Sequence, residues 1–397
     1  MIKRIVSLFI RKRKLQSNAK KLVHFVEIVR KEIAQLPIKR ANSDTLLLVR
    51  PDEIGDYILC RHVLPIIRNS EKYRNKKIIY VGNKNYKDIA ETLDKDYIDT
   101  FIWIDKPKFK NDASYRISIL ETIRATAPSV TIELQRTSDL DYGDLIVEAS
   151  NAPIKYANSN YYKVDYLNKL SSEFYTNIYS KSWDNTHEFY FNQQYINWVC
   201  NTNMYFKKPE IDTTLLPKSI ITSNYILCVI GSSKKSKNWP IKYWITLLKN
   251  LHNNYKNVQL VLLGGPGEQS KAEIIIQSLR DLDITSFVGK TTLLEALSII
   301  QHAQLMISND TFAIHARVAL GNSPTVVMAN GESAFRFSDL QDFSSNYKVL
   351  YAKPYEKRLP KMSNKDKWSY IVPSVDMQSI QPSVVLKTCI SLYKRSQ

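Results

Sequence analysis

Along most of this chain, short apolar runs alternate with longer stretches of helical period. Leu46-Leu47-Leu48-Val49 reads as a buried strand. The loop Arg50 to Asp56 follows, then a helix from Tyr57 to Arg68 with apolar positions Ile58, Leu59, Val63, Ile66 and Ile67 and a kink at Pro65. Further strands are predicted at Lys77 to Val81, Phe101 to Ile104, Val130 to Leu134 and, shorter, at 151–156. A second series opens with strand Tyr225 to Ile230 and helix 241–252, then strand Val258 to Leu263 and helix Glu268 to Arg280. It continues through a short strand Ser286 to Val288, helix Leu293 to Ala303, strand Leu305 to Ser308, a helix ending at Leu320 and strand Thr325 to Met328. Repeated β-α units imply parallel sheets covered on both faces. Between the series, residues 157–223 are rich in Tyr, Asn and Ser with weak period, and read as an interdomain connection. After Phe335 the chain is polar and Lys-rich up to a last helix near Val384 to Tyr393. The expected architecture is α/β, with two doubly wound halves facing one cleft. Its segments are a basic amphipathic extension (1–43), a first domain (44–215), a second domain (216–350) and a tail with a helix (351–397).

Composition changes this picture little, and charge changes it at one end. A chain of 397 residues, 44% hydrophobic and 24% charged, has the make-up of an ordinary globular protein. No apolar run reaches transmembrane length, so the chain is not expected to span a membrane. Basic residues number 56 against 38 acidic ones, a net charge of +18. Residues 1–40 hold twelve Lys and Arg but only Glu27 and Glu32, so more than half of the excess is N-terminal. There Leu22, Val23, Phe25, Val26 and Val29 form an apolar face beside Lys20, Lys21, Arg30 and Lys31. Such a helix can lie on an anionic leaflet, or pack on the body with its basic face in water. Nucleic acid would also attract it, but no nucleic-acid-binding motif accompanies the charge. Cys60, Cys200, Cys228 and Cys389 lie far apart with no CxxC spacing, which argues against a zinc site or a disulfide framework and for reduced thiols in the cytoplasm.

The candidate chemistry centres on Ser308-Asn309-Asp310-Thr311-Phe312-Ala313-Ile314-His315, a strand–turn–helix junction. The first N–H groups of a helix lack internal partners and carry the positive end of its dipole, which suits a phosphate or sugar oxygen. Asp310 and Thr311 stand at this mouth, and His315, four residues after Thr311, shares its face. The competing reading makes Asp310 an N-cap and His315 a core residue. Three other pieces fit the same pocket. Gly55-Asp56 offers a carboxylate as general base. A Lys-rich loop ending in Trp239-Pro240 sets Lys237 against a diphosphate. Gly264-Gly265-Pro266-Gly267 supplies a Gly-rich loop. Two patterns are decoys. Gly289-Lys290-Thr291 has Ile284 where a Walker A loop needs glycine. The spacings Asp139-Leu140-Asp141 and Asp281-Leu282-Asp283 lack the surroundings of a cation loop, and no metal is predicted.

Taken together, these pieces resemble family 9 glycosyltransferases, the lipopolysaccharide heptosyltransferase group. The matching segments are Arg50-x-Asp52-x-Ile54-Gly55-Asp56, Lys237-Asn238-Trp239-Pro240, Leu262-Leu263-Gly264-Gly265, Val288-Gly289-Lys290-Thr291-Thr292-Leu293, and Asn309-Asp310-Thr311 with His315. They run in the family's order over roughly residues 44–332. The resemblance implies a GT-B enzyme of two Rossmann-like domains. Such an enzyme is inverting and metal-independent, with no cofactor and an activated sugar, typically ADP-heptose, as its donor. It implies Asp56 as the base acting on the acceptor hydroxyl. It puts Lys237, Gly264, Gly265, Gly289, Asp310, Thr311 and His315 on the donor side, and Arg50 on the acceptor side. The implied acceptor is a lipopolysaccharide core or related surface glycan, and the implied place is the cytoplasm, peripheral to the inner face of the bacterial inner membrane. The family usually has glycine after Asp-Thr, and this chain has Phe312. A large side chain there can block close approach of a phosphate to backbone, which keeps a catalytically silent nucleotide-sugar-binding protein as the alternative.

Overall fold

The computed structural model describes residues 2–137, 139–160, 162, 164–180, 186–363 and 377–394. They form two compact units. The first takes in residues 1–53, 60–182 and 190–205, and the second residues 54–59, 183–189 and 206–397.

The first unit is a six-stranded sheet of β1 (Asn42–Arg50), β2 (Lys77–Asn83), β3 (Thr100–Ile104), β4 (Pro128–Glu133), β5 (Ile154–Asn158) and β6 (Asn177–Tyr179). Its order is β3-β2-β1-β4-β5-β6, with every neighbouring pair parallel. Central β1 has Leu46 to Val49 fully buried, as a strand covered on both faces must. β6 was not expected. It lies in the stretch read as irregular, which also holds the helices Asp165–Ser172 and Glu188–Cys200.

Helix α1 (Ile2–Ala34) is longer than the pattern suggested. Its Ala19, Val26, Val29 and Ile33, spaced by sevens, threes and fours, are buried in the first unit's core. Arg116 clamps Glu32 at 2.6 and 2.8 Å. This half of α1 is therefore packed on the body, while residues 14–18 are exposed.

The helix predicted from Tyr57 to Arg68 is two helices, α2 (Ile54–Cys60) and α3 (Val63–Asn69). The break falls before Pro65, so that proline sits in the first turn of α3, where its missing N–H costs no helical hydrogen bond.

The second unit repeats the plan with β7 (Tyr225–Val229), β8 (Gln259–Leu263), β9 (Ile284–Ser286), β10 (Leu305–Asn309), β11 (Thr325–Ala329) and β12 (Tyr347–Tyr351). All pairs are parallel in the order β12-β11-β10-β7-β8-β9, which is the first sheet's order in local numbering. The closing helix Pro382–Lys394 buries Val385, Cys389, Leu392 and Tyr393 in this unit's core. The segment expected to be a tail is thus part of the second unit. All four cysteines are buried, and no disulfide joins them. Among the described residues no helix is long and apolar enough to cross a membrane.

Candidate functional site

The second sheet's strand order reverses between β7 and β10, which are neighbours. An open parallel sheet leaves a crevice beyond the carboxyl ends of its strands at that point, and ligands bind there. The chain leaving β7 enters the Lys-rich loop, the chain leaving β8 enters Gly264-Gly265, and the chain leaving β10 enters Asp310-Thr311. Topology therefore brings most of the donor-side candidates to one end of one sheet.

Asn309 staples two of these loops. Its side-chain amide donates to the Ile230 carbonyl at 2.9 Å, and its Oδ1 accepts from the Trp239 N–H at 3.1 Å. A polar residue with no exposure needs such partners, and here the partners fix the ends of the Lys-rich loop. Across the loop, Asn330 donates to the Ser236 carbonyl at 3.2 Å, and Lys234 pairs with Glu332 at 2.5 Å.

Lys237 Nζ stands 2.8 Å from Asp310 Oδ2, with side chains only 14% and 3% exposed. Burial pulls the Lys237 pKa down, but Asp310, and after it Glu332 and Asp56, outweigh burial and leave it raised. The ammonium is therefore kept charged, and it lies within the field of the Asp56 carboxylate. Asp310 is not the helix cap. The N-cap of helix Phe312–Leu320 is Thr311, in extended conformation and without a side-chain hydrogen bond to the first turn. The mouth is lined by backbone N–H groups that no capping side chain covers.

His315 lies one turn inside and is buried, and its Nδ1 has no hydrogen-bond partner among the described residues. Burial lowers its pKa to about 4, with Lys237 pushing the same way and Asp310 and Glu188 opposing, so the imidazole is neutral at physiological pH. Its ring meets Phe337 edge-on at 6.2 Å. Arg336 covers Phe337 at 4.6 Å and is held by the buried carboxylate of Glu188 at 2.9 Å.

The glycines serve the second rim. The Gly289 N–H donates to the Gly264 carbonyl at 2.9 Å, and Gly289 has φ +68, which glycine adopts without strain. The N–H of Gly265 donates to Glu268 Oε2 at 3.1 Å. A Cβ on Gly231 would lie 2.6 Å from Glu268 Cδ. Glu268 thus sits tight between the loops leaving β7 and β8. The sequence reading leaves out Glu268, and takes in Asn309 only as part of the Asn309-Asp310-Thr311 segment, without its stapling role. The first looks like an ordinary helix start and the second like a turn residue.

Asp56 lies in the first turn of α2 and is half-buried. Residues 54–59 belong to the second unit, so Asp56 is grouped with Lys237, Asp310 and His315. Arg50 is in the first unit, fully buried, and bonded to Asp52 at 3.0 Å and to the Leu134 carbonyl at 2.6 Å. Its guanidinium holds the loop after β1 to the end of β4, and no part of it is presented to a solute. In the same unit, burial pushes the Glu133 carboxyl well above the usual range, with Asp144 and Asp139 adding to the shift. Among the described residues, no group of three or more His, Cys, Asp or Glu is placed to hold a metal ion.

Two doubly wound units, each built on a parallel six-stranded sheet, are the GT-B architecture, and the second carries a lysine–carboxylate pair and an uncapped helix mouth at its switch point. Residues 168–328 match the model of glycosyltransferase family 9 (heptosyltransferase), a span that covers the donor-side candidates and begins after the Arg50 to Asp56 loop. Among solved structures, the chain is similar to E. coli heptosyltransferase WaaC with ADP (TM-score 0.66, 14% identity, 88% of this chain and 99% of that one). It is also similar to a family 9 glycosyl transferase from Veillonella parvula DSM 2008 (0.65, 17%, 90% and 99%). A third likeness is to E. coli ADP-heptose lps heptosyltransferase II (0.63, 14%, 88% and 99%). At these identities the likenesses establish the fold. No curated protein matches the sequence.

Proposed function

We propose that the chain is an inverting glycosyltransferase that moves a sugar, heptose from ADP-heptose as the first candidate, from a nucleoside diphosphate to a hydroxyl of a lipopolysaccharide-core or related surface-glycan acceptor. The observation that carries this reading is the buried Lys237–Asp310 pair beside the uncapped Thr311 mouth, with Asp56 in the same field. Asp56 takes the proton of the acceptor hydroxyl as its oxygen attacks the anomeric carbon. The bond from that carbon to the diphosphate breaks, and the electron pair leaves with the diphosphate. Lys237 and the helix N-terminus stabilise the charge that develops there, and in this reading no metal or cofactor is required. Gly264, Gly265 and Gly289 shape the rim toward the nucleotide, and His315 lies behind the sugar end. The net positive charge of residues 1–40 holds the enzyme to an anionic leaflet, where lipid-linked acceptors are found.

Donor binding is tested by thermal shift with nucleotides and nucleotide sugars in EDTA. Stabilisation by ADP compounds supports the reading. Stabilisation by UDP, GDP or CMP compounds alone replaces the donor, and no shift with any of them overturns it. Phe312 favours a second reading, a nucleotide-sugar-binding protein without turnover. Tight donor binding with no release of diphosphate in the presence of lipopolysaccharide-core acceptors would establish it.

A further inference from the structure

We propose that His315 is a positioning residue. Its ring is the stop on which the first turn of α2 rests, and through Gly55 it fixes the Asp56 carboxylate against the Lys237–Asp310 pair. This rests on the reading of Asp56 as the base.

The inference starts from Gly55. No left-handed backbone requires glycine there, since Gly55 is absent from the positive-φ residues. What requires it is space. A Cβ at Gly55 would lie 2.9 Å from His315 Cδ2, 3.5 Å from His315 Nε2 and 3.5 Å from Phe312 Cα. The imidazole therefore meets the backbone of residue 55, one residue before the carboxylate. The ring has little freedom to retreat. It grows from a helix whose residues Ala313 to Ala319 are all buried. Its edge-on neighbour Phe337 is covered by Arg336, and Arg336 is tied to Glu188, a side chain only 1% exposed. A line of contacts thus runs from Glu188 through Arg336, Phe337 and His315 to Gly55 and ends at Asp56.

This placement also explains why the site holds a histidine that carries no charge. A buried ring beside both Lys237 and Asp310 contributes shape without adding a charge to the pair. It presents a flat edge that lets α2 come within van der Waals contact. A misplacement of about 1 Å at a reacting group costs roughly a hundredfold in rate. A methyl group at Gly55 would meet His315 Cδ2 at 2.9 Å, too close to be accommodated without a shift of the ring or of α2.

The test is a double-mutant cycle on Gly55→Ala and His315→Ala in the full-length chain. Two readings are taken: donor dissociation constant by calorimetry, and single-turnover release of nucleoside diphosphate from bound donor, to acceptor or to water. Gly55→Ala is expected to slow release about a hundredfold with donor affinity changed less than about threefold. Adding His315→Ala to Gly55→Ala should recover about tenfold of that loss, because the added methyl now has room. Melting curves of all three variants identify any that fail to fold, and His315→Asn, which shortens the ring while staying polar, replaces His315→Ala in that event. A double variant whose loss equals the product of the two single losses overturns the positioning role. Asp56→Asn measured beside the cycle separates the two claims. If it abolishes release while the cycle is additive, the base stands and the positioning fails. If it releases diphosphate at the wild-type rate, the base assignment itself fails.

Discussion

Lys237 and Asp310 are a buried pair, and the cost of breaking one is dominated by the charge left behind. Lys237→Met should therefore destabilise the protein by about 3 kcal/mol, read as a lower urea midpoint at unchanged slope, and should abolish donor binding. His315 gives a pH signature. Its folded pKa of about 4 lies below the ordinary value of 6.5, so the unfolded chain takes up the proton first as pH falls. Its contribution is fully present above pH 6.5, declines between 6.5 and about 4, and amounts to about 3 kcal/mol at most. His315→Asn should flatten stability against pH across that window, and an unchanged slope would show that other groups produce it. Glu133 behaves in the opposite sense. Its raised carboxyl favours the folded state only while protonated, so Glu133→Gln should stabilise the protein at pH 8, as melting temperature would report. At this scale the sequence supplied the residue types and withheld their partners. Asp310 reads equally as a cap or as a ligand until Lys237 is seen 2.8 Å away. Gly55 reads as a loop glycine until the ring beside it is seen.

Among the elements, α1 packs on the first unit through its C-terminal half. Val26, Val29 and Ile33 are core, so cutting the helix back to residue 36 should cost the first unit much of its stability. Removing residues 2–13, which carry Lys3, Arg4, Arg11, Lys12 and Arg13, should abolish flotation with phosphatidylglycerol vesicles, while phosphatidylcholine vesicles capture neither form. Equal flotation of the shortened chain would remove the membrane role. The buried strands were legible because each is a run of apolar residues covered on both faces. Two of the four edge strands, β6 and β12, were not. β6 is three residues, Asn177–Tyr179, and β12 alternates Tyr-Lys-Val-Leu-Tyr with Lys348 exposed, so neither presents the continuous apolar run by which the inner strands were found. The single helix expected from Tyr57 to Arg68 failed for a related reason. Its period is continuous in sequence, but the backbone break that accommodates Pro65 leaves no mark on that period.

Over the whole molecule, two units share one strand order, and each order reverses at the strand that opens its unit, β1 or β7. The β-α rhythm alone made two doubly wound halves readable; the shared strand order appears only in the structure. The rhythm could not assign residues 54–59, which follow a strand of the first unit yet group with the second. This grouping puts Asp56 in the same unit as the donor-side candidates and makes it the centre of the account. The most direct test is therefore a comparison of the wild-type chain and Asp56→Asn, each titrated with ADP-heptose in EDTA and then assayed for ADP release with a lipopolysaccharide-core acceptor. The account predicts equal donor affinity in both, with release reduced at least about a thousandfold in the variant. Equal release from the two proteins, or donor affinity lost together with release, would contradict it.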